Sequence, residues 1–417
     1  ITPIITNRDV ASPFLVEVQE SAVKPIEPVF LDYQKDMSQL KAKSDIPVLY
    51  KQNVANDLFQ LIYVFDMGNN HDKALGTAFD YLEYLGTSDM TPEELKSEFY
   101  RLACTFYVSP GNERTYVVLS GLNENMPAAV QLFEKLLADA QVNKEAYTNM
   151  TSDILKARSD AKLNQGQNFS RLMSFAMYGP KSPATNLLTE AELTNMNPQE
   201  LVDRIHNQNS YKHRILYYGP SSSKDLLATI NQYHQAPAVL KDITAGNEYA
   251  YLETPVTKVL VAPYDAKQIY MAQISNLDKK YDPAIEPIRA LYDEYFGGGM
   301  NSIVFQEMRE TRGLAYSAWA SIMPPSYLKY PYVLRTQIAT QNDKMIDAVT
   351  TFNDIINNMP ESEAAFKLAK NGLTNRLRTE RIIKGDIIWS YINAQDLGQN
   401  VDPRIKLYND IQTMSLK

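Results

Sequence analysis

The stretch from Phe296 to Tyr316 reads FGGGMNSIVFQEMRETRGLAY, and the rest of the chain reads as its support. Three glycines, Gly297, Gly298 and Gly299, open it. Asn301 or Ser302 then serves as an N-cap, since either side chain accepts from the unpaired N–H groups of a first helical turn. Val304 and Met308 lie one turn apart and give the predicted short helix an apolar side. Phe305 and Arg309 share a neighbouring face by the same spacing. Gly313 ends the helix as a residue able to reach the left-handed region. A strand, AYSAWASI, is expected from Ala315, with Tyr316 on the face of Ala318 and Ala320. Trp319 falls on the opposite face and reads as core. The glycines form no phosphate loop, because no G-x-x-x-x-G-K-[ST] pattern follows. Two readings of them stand: they turn one helix into the next, or they offer bare backbone to an extended peptide.

The chain around this stretch has 417 residues, more than one ordinary core fills, so two or three domains are expected. It is 44% hydrophobic and 22% charged, ordinary values for a globular protein. A formal net charge of -8 argues against a nucleic-acid surface. Cys104 is the only cysteine, which leaves no intramolecular disulfide and no cysteine metal site. No apolar run approaches a bilayer-spanning length, and ITPIITNRD has neither the basic start nor the apolar core of a signal peptide, so no membrane association is expected. Ile1 is not an initiator methionine, which suggests a processed piece of something longer.

Working outward, residues 1–44 read as a connecting arm, broken by Pro3, Pro13, Pro25 and Pro28, with apolar clusters FLVEV and PVFLDY available for docking. From residue 45 the texture changes. LFQLIYVFDMG (58–68) is a predicted buried strand, and ALGTAFDYLEYLGT and PEELKSEFYRLA are helices. CTFYVS and RTYVVLSGL make a hairpin about Pro110-Gly111-Asn112. Residues 124–140 are an amphipathic helix, and a long helix spans 144–162. TEAELTNMNPQELVDRIHNQ gives more helix, HRILYYG a last strand, and DLLATINQYHQ a closing helix near residue 235. The order then begins again. KVLVAPY and KQIYMAQIS are expected to pair as strands around Asp265. IEPIRALYDEYFGGG is a helix, PYVLRTQIAT a strand, and two further helices follow.

Residue matches make this an internal duplication. Ala129, Val130, Phe133, Leu136 and Leu137 match Ala348, Val349, Phe352, Ile355 and Ile356 at the same internal spacing. Tyr84-Leu85-Gly86 matches Tyr295-Phe296-Gly297. The expected fold is α+β: two tandem repeats, 45–238 and 239–417, each a mostly antiparallel sheet with helices packed on one face. In the second copy LYNDIQTMSLK matches ELTNMNPQE, so that copy is expected to lack its last strand and helix, through truncation or through completion by another segment.

FGGGMNSIVFQEMRETRGLAYS, GPKSPATNLLTEAELTNMNPQELV, YLGTSDMTPEEL and VVLSGLNENMPAAVQLF together resemble the pitrilysin, insulin-degrading enzyme and mitochondrial processing peptidase family of zinc metallopeptidases. The resemblance covers nearly everything from Ile46 to Lys417. It implies four related α/β repeats in two halves that close on substrate, with this chain as the C-terminal, zinc-free half and its first residues as the arm between halves. The family's zinc motif, H-x-x-E-H on a helix, puts two histidines on one face with a glutamate base between them. Here the matching helix reads GTAFDYLEYLGT: Phe79 stands where the first histidine belongs, and Glu83 has no histidine near it. The family's third ligand is a later glutamate, yet none occurs between Glu145 and Glu190. The four histidines, His71, His206, His213 and His234, lie outside this helix without metal-ligand spacing.

The resemblance therefore implies no metal in this chain and zinc in a partner half, on the same polypeptide or a separate one. It also implies that Arg309 and Tyr316 reach that half's active site. Attack of zinc-activated water on a peptide carbonyl develops negative charge on its oxygen. A phenol O–H aimed at that oxygen stabilises it, and a guanidinium holds substrate carbonyls. Tyr316 and Arg309 are thus the candidate catalytic and substrate-binding residues, with Gly297, Gly298 and Gly299 as candidate backbone contacts. Without the resemblance, Arg309 is a solvated helix residue and Tyr316 a half-buried strand aromatic. The expected function is substrate binding within a peptide-degrading zinc metallopeptidase, the chain alone being inactive. The alternative is a peptidase-like scaffold or peptide-binding subunit without proteolysis. Substrate and compartment are not legible.

Overall fold

The computed structural model describes residues 12–21, 24 and 26–417. Helices α1 (Pro13–Glu20) and α2 (Tyr33–Asp36) lead in. The next elements are β1 (Ser38–Lys41), β2 (Pro47–Gln52), β3 (Leu58–Phe65), α3 (Leu75–Leu82), α4 (Pro92–Arg101), β4 (Cys104–Pro110) and β5 (Thr115–Leu122). Helices α5 (Met126–Asp139), α6 (Lys144–Ala161), α7 (Gln165–Tyr178), α8 (Glu190–Asn195) and α9 (Gln199–Asn207) precede β6 (Arg214–Gly219) and α10 (Ser223–Tyr233). The second series runs β7 (Gln268–Lys280), α11 (Glu286–Phe296), α12 (Ile303–Phe305), β8 (Ser317–Met323), β9 (Pro331–Gln341), α13 (Met345–Asn357), α14 (Glu363–Thr379), α15 (Asp386–Asp396) and α16 (Pro403–Thr413).

These strands form two sheets. The first has the order β1-β2-β6-β3-β5-β4, antiparallel except where β2 runs parallel to β6. The second has the order β7-β9-β8 and is wholly antiparallel. The triplets β3-β5-β4 and β7-β9-β8 share one order, and each is followed by a helix, α5 or α13, with the matching apolar residues. Ala129, Phe133 and Leu136 are buried in one, and Ala348, Phe352 and Ile355 in the other. Apolar residues one turn apart on an amphipathic helix bury together against a sheet, which is why these matches recur.

One face of each sheet carries the main helical layer. In the first, Leu61, Tyr63 and Phe65 of β3 pack with Phe79, Phe99, Phe133, Leu201 and Ile230 from the helices. In the second, Ala320 and Ile338 pack with Leu291, Phe296, Phe352 and Leu373. The other faces show an exchange. Ile387, Ile388 and Ile392 of α15 bury against Leu49, Ile62, Val64, Val118 and Leu216 on the far face of the first sheet. Reciprocally, Phe169 of α7 meets Tyr270 edge-on, ring centroids 5.7 Å apart, and Met173 Sδ lies 3.2 Å from Arg335 Nη2 on β9. The guanidinium of Arg335 in turn covers Trp319, its Cζ 5.2 Å from the ring centre. Each copy thus lends one helix to the other's sheet.

Two expectations meet a different outcome. The stretch KVLVAPY forms no strand among the described residues: Val259 is 82% exposed and Val261 78%, and β7 stands at the sheet edge without it. An apolar run reads as strand from composition alone, but a strand needs a neighbour to bond to. Within the stretch read as an arm, β1 joins the first sheet, and Leu31 and Tyr33 of PVFLDY are buried under it beside α15, whereas Phe14, Val16 and Val18 of FLVEV are exposed. Part of the arm therefore docks. Residues 1–11 lie outside the described part.

Candidate functional site

Helix α11 ends at Phe296, and the chain turns through the glycines. A Cβ on Gly297 would stand 2.0 Å from the Ala320 carbonyl oxygen, and one on Gly298 2.7 Å from that of Asp293. At Gly299 nothing lies within 4 Å. Gly297 permits close packing of the end of α11 on β8, Gly298 lets the chain turn tightly over the last turn of α11, and only Gly299 leaves backbone open. Ser302 is the N-cap of the next helix: its Oγ accepts from the Phe305 N–H at 3.3 Å. Val304 and Met308 are fully buried, the apolar side that the spacing predicts.

The helix then widens. Residues Gln306–Thr311 form a π-helical turn, a feature that often marks functional sites. Met308 O accepts from both Leu314 N and Ala315 N, at 2.8 and 3.3 Å, and Gly313 sits at φ +57°. Lys344 donates to the Gly313 carbonyl at 3.0 Å, which fastens the turn to the foot of α13. Tyr316 then enters the sheet by donating its N–H to Ala339 O at 3.1 Å.

This arrangement brings Arg309 and Tyr316 together. The guanidinium carbon of Arg309 lies 5.1 Å from the Phe305 ring centre and 5.6 Å from that of Tyr316. Cation–aromatic contacts of this kind hold a guanidinium in place and leave its donors available. Arg309 has one carboxylate nearby, Glu310 at 3.8 Å, and both side chains are about half exposed. Tyr316 is 76% exposed, while Ala320 on its strand is buried. It does not sink into the face it shares with Ala318 and Ala320, because it precedes the strand proper. The pair therefore presents a phenol and a guanidinium at the surface.

The register of the first sheet locates the counterparts. Cys104 stands opposite Gly121 on β5 as Tyr316 stands beside Ala339 and Thr340 on β9, and Ser97 precedes Cys104 by the seven positions that separate Arg309 from Tyr316. Burial pushes the Cys104 thiol above its ordinary pKa. The first copy thus has a protonated, buried thiol where the second has an exposed phenol.

The helix aligned with the zinc motif does not fit a metal. In α3, Ala78, Phe79 and Leu82 are core residues, and Glu83 is the C-cap. Among the described residues no group of three or more His, Cys, Asp or Glu side chains is placed to hold an ion. The histidines scatter only in part. His71 accepts from Gly68 N, and His206 meets the Ala140 carbonyl. His213 and His234, 21 positions apart in the chain, meet nearly perpendicular with their Nε2 atoms 2.9 Å apart, a convergence that spacing did not signal.

Comparison with known proteins bears on the fold that holds these residues. Residues 244–373 match the family model of the peptidase M16 inactive domain. Over those residues the chain is similar to that family. The matched region runs from before β7 into α14 and contains the glycines, Arg309 and Tyr316. A peptidase M16 inactive domain from Pseudomonas fluorescens superposes with a TM-score of 0.67 at 16% identity, over 91% of this chain and 92% of that one. The periplasmic protease PqqL of Escherichia coli gives a TM-score of 0.71 at 14% identity, over 95% of this chain and 45% of its own. The ferredoxin protease FusC, solved in complex with Arabidopsis ferredoxin, gives 0.63 at 12%, over 94% and 45%. At these identities the likeness is one of fold. A Rickettsia felis protein described as an uncharacterized zinc protease is 20% identical over 263 residues, and the chain spans about 60% of its length. The fold these structures share with the chain is the α+β fold that the sequence predicts. No helix among the described residues is long and apolar enough to cross a membrane.

Proposed function

We propose that this chain is the zinc-free, substrate-binding half of a peptide-degrading metallopeptidase. It closes over an extended peptide and contributes Arg309 and Tyr316 to the active site of a zinc-bearing half. The observation that carries this reading is the exposed pairing of the Arg309 guanidinium with the Tyr316 ring at 5.6 Å, in the copy that matches the family model. A scaffold has no need of a phenol and a guanidinium held together at its surface. Gly299, with open space around it, is the glycine that lies free for substrate backbone. The two proteases of which this chain covers 45% support its place as one half of a longer enzyme.

The test pairs the chain with its zinc-bearing half. Tyr316→Phe removes only a hydroxyl, so packing survives, and loss of an oxyanion donor lowers kcat by about 10²–10³. Arg309→Ala acts on substrate positioning and raises KM as well. The two effects are less than additive if both residues hold one substrate geometry. Folded variants with unchanged kcat/KM would make the pair structural and leave the scaffold reading in front. Alone, the chain is expected to bind no stoichiometric zinc and to cleave no peptide. Elemental analysis giving one zinc per chain, removable together with activity, would overturn this.

A further inference from the structure

Helix α5, the segment leading into β6 and the end of α10 in the first copy enclose a polar chain that the proposed function does not use. Glu134 is 1% exposed and His234 0%, and His213 is buried beside them. The Glu134 carboxylate faces donors only. Asn209 Nδ2 and Gln235 N each donate to Oε2 at 2.9 Å, and His234 Nδ1 lies 2.7 Å from Oε1. His234 Nε2 is 2.9 Å from His213 Nε2, and His213 Nδ1 is 2.7 Å from the Tyr211 carbonyl.

Donor and acceptor roles are then fixed from the ends. A carbonyl only accepts, so His213 Nδ1 carries a proton. With His213 neutral its Nε2 accepts, so His234 Nε2 must donate. His234 Nδ1 faces a carboxylate and donates as well. His234 therefore holds both ring protons against Glu134, and His213 holds one. A second proton on His213 would set two N–H groups against each other with no acceptor between them, and two cations ring to ring.

We propose that the Glu134–His234–His213 chain is a proton latch that makes the first copy, and not the second, labile to acid. The latch joins α5, the end of α10 and β6, and β6 lies between β2 and β3 in the middle of the first sheet. Around it, Tyr63 of β3 lies against His234, ring centroids 4.6 Å apart, and burial followed by the charge of Glu134 keeps its phenol protonated. Phe65 covers His213 at 4.7 Å. The flanking charges are engaged elsewhere: Lys212 with Asp242, Arg214 with Asp66, and Lys241 over the Tyr211 ring. Glu134 is the one carboxylate in the chain of contacts. In the second copy Asn353 stands at the place of Glu134, exposed and bonded to Gln273, and all four histidines lie in the first copy.

The sign follows from His213. Burial, and then the charge of His234, lower its pKa from the ordinary 6.5 to about 4. Between those values the unfolded chain binds a proton that the folded chain refuses, so the stabilisation is complete above about pH 6.5 and lost as pH falls toward 4.

Imidazole ¹⁵N spectra of the selectively labelled, unmodified protein read the tautomers. At pH 7 the proton between the two rings is expected on His234 Nε2, and His213 is expected protonated only at Nδ1. Hydrogen exchange read by mass spectrometry then compares the copies. Protection in β3, β5 and β6 is expected to fall by up to about 10²-fold between pH 6.5 and 4 in excess of any change in β7, β8 and β9. His213→Gln, which keeps a hydrogen-bonding group but does not titrate, should remove that excess. His213 titrating at its ordinary value with protection unchanged overturns the latch. So does a folded His213→Gln protein with the same acid response. A bound metal with both Nε2 atoms unprotonated would also overturn it, by making the two histidines ligands.

Discussion

Gly297 and Gly299 look alike in the sequence and differ in what surrounds them. The notion that the glycine run offers backbone to a peptide survives at one position of three. Gly297→Ala drives a methyl group into the Ala320 carbonyl and is expected to cost about 1–3 kcal/mol, as overpacking of a close contact does. Gly299→Ala meets nothing and should stay within about 0.5 kcal/mol. Thermal melts of the two variants separate them, and equal losses would show that the loop is held by something other than the Ala320 contact. The cap at Ser302 and the left-handed Gly313 were legible because each is a local rule of backbone hydrogen bonding or chirality. The π-helical turn at Gln306–Thr311 was not. It depends on where Leu314 and Ala315 find carbonyls, and no residue type encodes that. The closeness of Arg309 to both Phe305 and Tyr316 was half legible. Helical spacing gave the first contact, and the resemblance alone suggested the second.

Elements with a strong period and a local partner were read correctly. The hairpin of β4 and β5 and the amphipathic α5 are examples, since alternation and one-turn spacing carry them without tertiary information. Helix α7 is not legible in the sequence. Its apolar residues Phe169, Met173 and Met177 do recur one turn apart, but they sit among glutamines and serines, and their partner is the other copy's sheet. The same non-local logic governs α15, whose isoleucines cover a sheet that begins more than three hundred residues earlier. Ile388 is buried against that sheet, so Ile388→Ala should cost about 2–5 kcal/mol and be felt in the first sheet. Hydrogen exchange gives the readout: β2, β3 and β6 should lose more protection than β7 and β9. Loss confined to the second sheet would show that α15 belongs energetically to its own copy, and the helix exchange would be packing without coupling.

At the scale of the molecule the two copies differ in what covers their central strands. In the first, β6 pairs with β3 through Gln60, Ile62 and Val64, and Val130 and Leu137 of α5 are buried. In the second, β7 pairs on one side only, and none of its residues is fully buried. Gln165 donates to the outward carbonyl of Gln268, and Thr254 accepts from the outward N–H of Asn276. Between these ends Tyr270, Ala272 and Ile274 have no partner strand on that side among the described residues. The exposed apolar stretch that includes Val259 and Val261 joins Thr254, which bonds Asn276 at one end of β7, to the start of β7 at the other, and on α13 Ile346 is exposed as well. A long open edge with apolar residues beside it is a template for pairing with another chain. The isolated 417-residue chain is therefore expected to self-associate through this edge as concentration rises. Val259→Asp with Val261→Asp places like charges beside the edge without touching the core, since both valines are exposed. Light scattering after size exclusion should show the oligomer fraction falling in the double variant, with the thermal melt unchanged. A wild-type chain that stays monomeric at high micromolar concentration would sink this prediction. So would a double variant that associates as strongly as the parent, because the sticky surface would then lie away from β7.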